Sequence, residues 1–253
     1  GQIREKNGTK KPGFITSTKY LGEEQPGHLY KNTKKMENHI LLSLLSKERI
    51  SPYLKKHNNN YEKALEHYKA NIRISASFYP LIAIIEVVFR NNVNQQLTRK
   101  YNSQLWFDTP EFRKDCSKFQ LKKIRELKNN KSLKGKSYSP GKIVSELTFG
   151  FWTSLFDSEL SLILWKSLRL SFPNCPKPLR HRKEISRRFT GIRKFRNRIF
   201  HHEPISWDYA VLQNYYSEML CVILWLNKDL PDWVGDLIKA KQVILHQKQH
   251  LPE

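Results

Sequence analysis

The sequence predicts an all-α protein, a helical bundle carrying additional helices. Three observations lead there. Apolar residues recur at helical spacing in several long segments, above all Ile185, Phe189, Ile192, Phe195 and Ile199, which share one side of a helix at about 100° per residue. Ser, Thr, Asp, Asn and Pro stand where such segments would begin. No convincing alternating run or hairpin turn marks a strand. At 253 residues the chain makes one large domain or two small ones, with enough length to bury a core.

Residues 1–35 are polar, rich in Gly, Lys and Thr, and lack periodicity, so they read as a flexible arm; 36–253 form the helical domain, and Met36 is a plausible natural start. Glu37 to Ser46 is a short apolar helix, and Ser51-Pro52 opens another. Asn58-Asn59-Asn60 is a loop and N-cap region. Helical patterning then runs to Tyr101, with Pro80 kinking or splitting it. Leu81, Ile84, Ile85, Val88, Phe89 and Val93 form its core stripe. Asp108 or Thr109, with Pro110, caps a helix reaching Lys128. Ser139-Pro140 starts the next, which Gly150 interrupts. Phe149, Phe151, Trp152, Leu155 and Phe156 read as core rather than a base-stacking platform. Ser158 caps a helix to Ser171, and Phe172 to Pro178 is a rigid loop. After a long helix over 181–200, Ser206 caps another through Leu226, burying Leu212, Tyr215, Tyr216, Met219, Val222 and Ile223. Leu230 to Trp233 turns into a final helix.

The net charge of +22 exceeds what solubility needs. Such a field points to a polyanion, foremost nucleic acid, ahead of a generic basic surface or an acidic membrane. The densest basic stretch spans Lys118 to Lys136. Of its residues Lys122, Lys123, Lys128, Lys131, Lys134 and Lys136 are candidate phosphate contacts, although a charge run is often only a solvated face. Cys116, Cys175 and Cys221 are far apart and odd in number, which argues against a disulfide framework and for a reducing, cytoplasmic compartment. No signal peptide or run of about 18 apolar residues is present, so no membrane partner is expected.

The chemistry concentrates in Arg193-Lys-Phe-Arg-Asn-Arg-Ile-Phe-His-His-Glu-Pro204. Arg196 falls inside the apolar arc, roughly 40° from Ile192. An unpaired guanidinium there is costly, so it needs an acidic partner or an anionic ligand. His201 lies five residues on, about 140° away on an ideal helix. Asn197, one turn before His201, is placed to orient its imidazole. Pro204 disfavours helix at Glu203, so the helix ends or distorts around His201 and His202. Glu86 and Arg90, one turn apart on a core-flanking helix, form a local ion pair, or else Glu86 or Asn91 meets this motif in the fold. Glu203 pairs with Arg198 or Arg90. His67 and His181 read as surface residues.

The string Arg196-Asn-Arg-Ile-Phe-His-His-Glu-Pro-Ile205 resembles the signature of the HEPN ribonuclease superfamily, in its Abi-like (abortive infection) branch. Ser51-Pro-Tyr-Leu54, the run Phe78 to Asn92, and Ser139 to Trp152 resemble the same family, so the likeness covers residues 45–235. It implies a HEPN-like bundle and a metal-independent endoribonuclease of anti-phage defence, toxin-like in action. It also implies products with 2′,3′-cyclic phosphate and 5′-hydroxyl ends, and a face-to-face homodimer that gathers two Arg/His sets in one cleft.

The residue types suit that chemistry. RNA supplies its own nucleophile, the 2′-hydroxyl. Cleavage needs a base, an acid and a cation at the phosphorane, all within reach of His and Arg. His201 is the expected acid/base, Arg196 the cation and Asn197 the orienter or a ligand contact. Arg193, Arg198 and His202 are supporting RNA contacts. No metal or cofactor is expected, since His201, His202 and Glu203 are consecutive and their side chains diverge. The competing class is a non-catalytic RNA-binding module holding a structured small RNA, which could also restrain a nuclease. A weaker third reading is a nucleotidyltransferase partner. A helix-end histidine can also be only a cap.

Overall fold

A computed structural model of the protein describes residues 38–129 and 139–251. Among them there is no strand; the fold is all-α. The chain divides into two units, 1–47 and 48–253. Of the first, the described part is helix α1, Asn38–Leu45, and the two residues after it. The arm expected over 1–35 lies outside the described residues.

Helix α2, Lys47–Lys56, belongs to the second unit from Glu48 on. It starts a turn before Ser51, so Pro52 sits inside it at the cost of one backbone hydrogen bond, with burial of Ile50 and Tyr53 holding the turn. Asn58 and Asn59 take left-handed φ of 51° and 62°. Asn60 then caps α3, Tyr61–Ser77, by accepting from Lys63 N. Pro80 splits the long pattern as expected: α4, Tyr79–Tyr101, begins after a break at Phe78 and ends on left-handed Asn102. Its stripe is buried at Leu81, Ile85, Phe89 and Val93, with Ile84 and Val88 packed alongside. The 61–101 stretch includes an eighteen-residue window of mean hydropathy 1.7, enough by length and composition to cross a membrane.

The expected single helix over 110–128 is two: α5, Pro110–Asp115, capped by Thr109, and α6, Lys118–Lys128. Cys116 is extended, and Ser117 and Gln120 cap the second helix reciprocally. Gly150 does not interrupt the next segment. The break falls at Leu147, extended, with Thr148 accepting from Phe151 N, so that α7 is Pro140–Glu146 and α8, Phe149–Ser154, contains Gly150. Ser158 stands in a 3-10 turn before α9, Ser161–Leu168, and a second such turn carries the chain to Ser171.

Helix α10, Arg182–Phe200, packs on α8 and on α11, Tyr209–Leu226. Asp208 rather than Ser206 caps α11: its carboxylate accepts from Ala210 and Val211 N–H, while the Ser206 hydroxyl is buried without a hydrogen-bond partner. Helices α12, Leu230–Val234, and α13, Ala240–His250, close the unit. At the centre the rings of Phe89 and Phe189 stack 4.0 Å apart, ringed by Phe149, Phe156 and Phe172. This fixes α4 against α10, whose far end carries the motif. Phe149, Phe151, Trp152, Leu155 and Phe156 are buried, as core.

Candidate active site and RNA-facing surface

The start of α10 is an electrostatic anchor. His181 Nδ1 accepts from Glu184 N, and Glu184 takes both Arg187 and Arg188. Those bonds, with Arg187 foremost, hold its carboxyl down at about 2. Arg188 also reaches Glu218 and lies over the Trp225 ring. His181 is exposed, as read. Farther along, Ile185, Phe189, Ile192, Phe195 and Ile199 are all buried, so the arc read from the sequence is the face that packs.

Arg196 has an acidic partner. Its Nε donates to Glu86 Oε1 at 2.8 Å, its guanidinium lies 4.3 Å from the Phe200 ring centroid, and its Nη1 donates to Asn197 Oδ1 at 3.4 Å. Of the two readings of Glu86, the contact with the motif is the one present. Arg90 instead donates to Asn91 Oδ1 and to the Ser145 carbonyl. A cavity of about 410 Å³ opens beside this pair. Glu86 and Arg90 of α4 line it, with the α7–α8 junction and Arg193, Arg196 and Asn197 of α10. Arg193 Nε is enclosed with no hydrogen-bond partner, and its charge acts on the Asp157 carboxyl.

His201 is the C-cap of α10 and is not among the residues lining that cavity. Glu203 N–H reaches back to the Arg198 carbonyl at 2.9 Å and His202 N–H to that of Ile199 at 3.0 Å. This doubly bonded stop requires a left-handed residue at 202, and His202 takes φ 56° where glycine is usual. Side chains from elsewhere fasten the turn. Arg49 Nη1 donates to the carbonyls of His201 and His202 at 3.1 and 2.5 Å. Asn71 Oδ1 accepts from Ile205 and Ser206 N–H at 2.7 and 3.2 Å, and its Nδ2 donates to the Glu203 carbonyl. Arg198 donates to the Pro204 carbonyl and pairs with Glu203 at 3.3 Å, one of the two pairings anticipated. Both His201 and His202 are exposed.

His67 is buried, contrary to the surface reading. It meets buried His57 at 2.9 Å between ring nitrogens and packs edge-on against Trp207. Desolvation pushes its pKa down to about 4 and also lowers that of His57. Arg49 and Asn71 were missed as well. Asn71 carried a signal: it follows His67 by one turn on the face holding Ala64, Leu65, Ala70 and Ile74.

The basic stretch is less free than its composition implies. Lys122 and Lys123 both reach Glu126, at 3.8 and 2.8 Å. Lys128 pairs with Asp108 and sits over the Phe107 ring. Lys131, Lys134 and Lys136 lie outside the described residues. Burial raises the thiols of Cys116 and Cys175 to about 11 and raises Cys221, so none is a ready thiolate nucleophile near neutrality. Among the described residues no three His, Cys, Asp or Glu gather as metal ligands. Comparison with protein-family models, with curated proteins and with solved structures finds no match.

Proposed function

We propose that this protein is a metal-independent endoribonuclease of abortive-infection type, acting in the cytoplasm as a homodimer. The observation that carries the reading is the division of the motif. Arg196 and Asn197 share a cavity with Arg90 and Arg193, while His201 stands exposed at a rigidly stopped helix end. In the reaction His201 of one copy takes the proton of the 2′-hydroxyl, the 2′-oxygen attacks phosphorus, and the bond from phosphorus to the 5′-oxygen breaks as protonated His201 of the other copy gives its proton to that oxygen. Arg196 stabilises the phosphorane charge and Asn197 orients the ligand or the imidazole. Since Arg196 lines the cavity and His201 does not, a second copy supplies the other half of each pair across a two-fold seam. The test is to express wild type and His201→Ala in cells and map RNA ends. New ends with 2′,3′-cyclic phosphate and 5′-hydroxyl, absent in the variant, are expected. Identical end maps, or sedimentation showing a fully active monomer, would overturn the reading.

A second reading is stable RNA binding without cleavage, with a structured small RNA as ligand. The charge of +22, far more than one site uses, favours it. Absorbance at 260 against 280 nm in the purified protein, followed by sequencing of any bound RNA, separates the two. If RNA is both retained and cut, the bound species restrains the nuclease.

A further inference from the structure

A second cavity, of about 420 Å³, lies where the end of α10 meets α3 and the start of α4. Its character is unlike that of the arginine-lined one. Tyr68, Ile72, Tyr79 and Phe200 give it an aromatic and aliphatic wall, and Asn71, Ser75 and His202 are its polar members. Ile72, Tyr79 and Phe200 are 50%, 58% and 42% exposed. The Tyr79 and Phe200 rings stand 6.4 Å apart and tilted. The Ser75 hydroxyl is enclosed without a hydrogen-bond partner.

One side-chain contact links the linings of the two cavities. Phe200 lines the apolar one, Arg196 lines the basic one, and the guanidinium lies over the ring. A polyanion drawn to Arg196 therefore brings its neighbouring group to Phe200. In a nucleotide that group is a base, with a face that stacks on an aromatic ring and edges that hydrogen-bond. We infer that the Tyr79–Phe200 groove is a nucleobase subsite for single-stranded RNA, seating the base next to the phosphate held at Arg196, with His202 available to its edge. This rests on the reading of the protein as RNA-binding and adds the part of the ligand that the basic cavity cannot recognise.

The probe is a short single-stranded 2′-O-methyl oligonucleotide carrying one 2-aminopurine, bound to the full chain. It has no free 2′-hydroxyl, so the result does not depend on cleavage. Binding should quench the fluorescent base. Tyr79→Ala, at an exposed position, should abolish the quench and weaken affinity about tenfold, the scale of one stacked base. Tyr79→Phe should retain both. An oligonucleotide with an abasic residue in place of 2-aminopurine should bind wild type and Tyr79→Ala equally. Unchanged quench and affinity in Tyr79→Ala, with far-UV circular dichroism intact, would overturn the subsite. So would dissociation of a dimer by Tyr79→Ala with the quench preserved, since a second copy would then cover the groove. A positive quench alongside unchanged RNA ends in cells would sink the nuclease and leave the subsite standing.

Discussion

Arg196 Nε donates to Glu86 Oε1 at 2.8 Å across 110 residues of sequence. One nitrogen of the guanidinium is thus committed to aim rather than to ligand. Glu86→Ala should release that aim and lower the single-turnover cleavage rate about a hundredfold, the scale set by small misplacements of catalytic groups. Glu86→Gln keeps an oxygen acceptor and should lose less. RNA affinity by filter binding should stay within a few-fold in both.

Removing the acting groups should be more severe. His201→Ala and Arg196→Ala should each lower cleavage at least about 10²- to 10³-fold, as loss of a charge-stabilising donor does. Binding should be nearly intact in His201→Ala and weakened in Arg196→Ala, which also loses a phosphate contact. Cleavage should persist in excess EDTA; loss in EDTA, restored by Mg²⁺ or Mn²⁺ but not by salt, would refute the mechanism.

The buried His57–His67 pair makes stability depend on pH. Folding favours neutral His67, whose pKa is about 4 against an ordinary 6.5. The unfolded chain therefore binds more protons between those values, and stability is complete above pH 6.5 and falls as pH drops toward 4. Urea unfolding should show a loss on the order of 1–3 kcal/mol from pH 7 to pH 4.5. His67→Gln should flatten that slope. Glu184, held near 2, stays ionised throughout the window and adds little to it.

Asn71 satisfies two amide donors and one carbonyl of the turn after the motif. Asn71→Ala should cost about 2–4 kcal/mol, because the orphaned groups stay buried. The measurement is the shift in urea midpoint. Cleavage should fall with it at temperatures where the chain remains folded, since the turn carries His201.

For the basic stretch, Lys131, Lys134 and Lys136→Gln should flatten the plot of log affinity against log salt by about 0.7 for each phosphate of single-stranded RNA that is no longer neutralised. Lys128→Gln should act mainly on stability, because its partner is Asp108. An unchanged slope in the triple variant would remove this stretch from the RNA interface.

What was legible in the sequence was periodic or local. The buried arc of α10, the stripe of α4, the split at Pro80 and the stop around His201 each follow from spacing or from proline within a few residues. What was not legible depended on distant partners. His67 looks like a surface residue until α2 brings His57 to it, and nothing near Asn71 announces a turn that comes 132 residues later. Glu86 had two readings, and only the packing of α4 on α10 chose between them. The misplaced breaks are a different failure. Gly150 is tolerated inside α8 because Thr148 caps that helix two residues earlier, and a cap outweighs one unfavourable propensity. The HEPN resemblance is carried by the motif string, and the all-α fold agrees with it without deciding it.

The turn after α10 is held by Arg49 and Asn71, which lie 132 to 153 residues before the groups they bind. Bonds between groups so far apart in sequence close large loops, and that entropy must be met before they reward the chain. The order of events follows. The segment 182–200 can coil as soon as it exists, but its stopped end acquires a fixed form only when α2 and α3 have already come to rest beside it. A peptide cut to 182–204 would carry every letter of the motif and lack the anchor that gives His201 a direction.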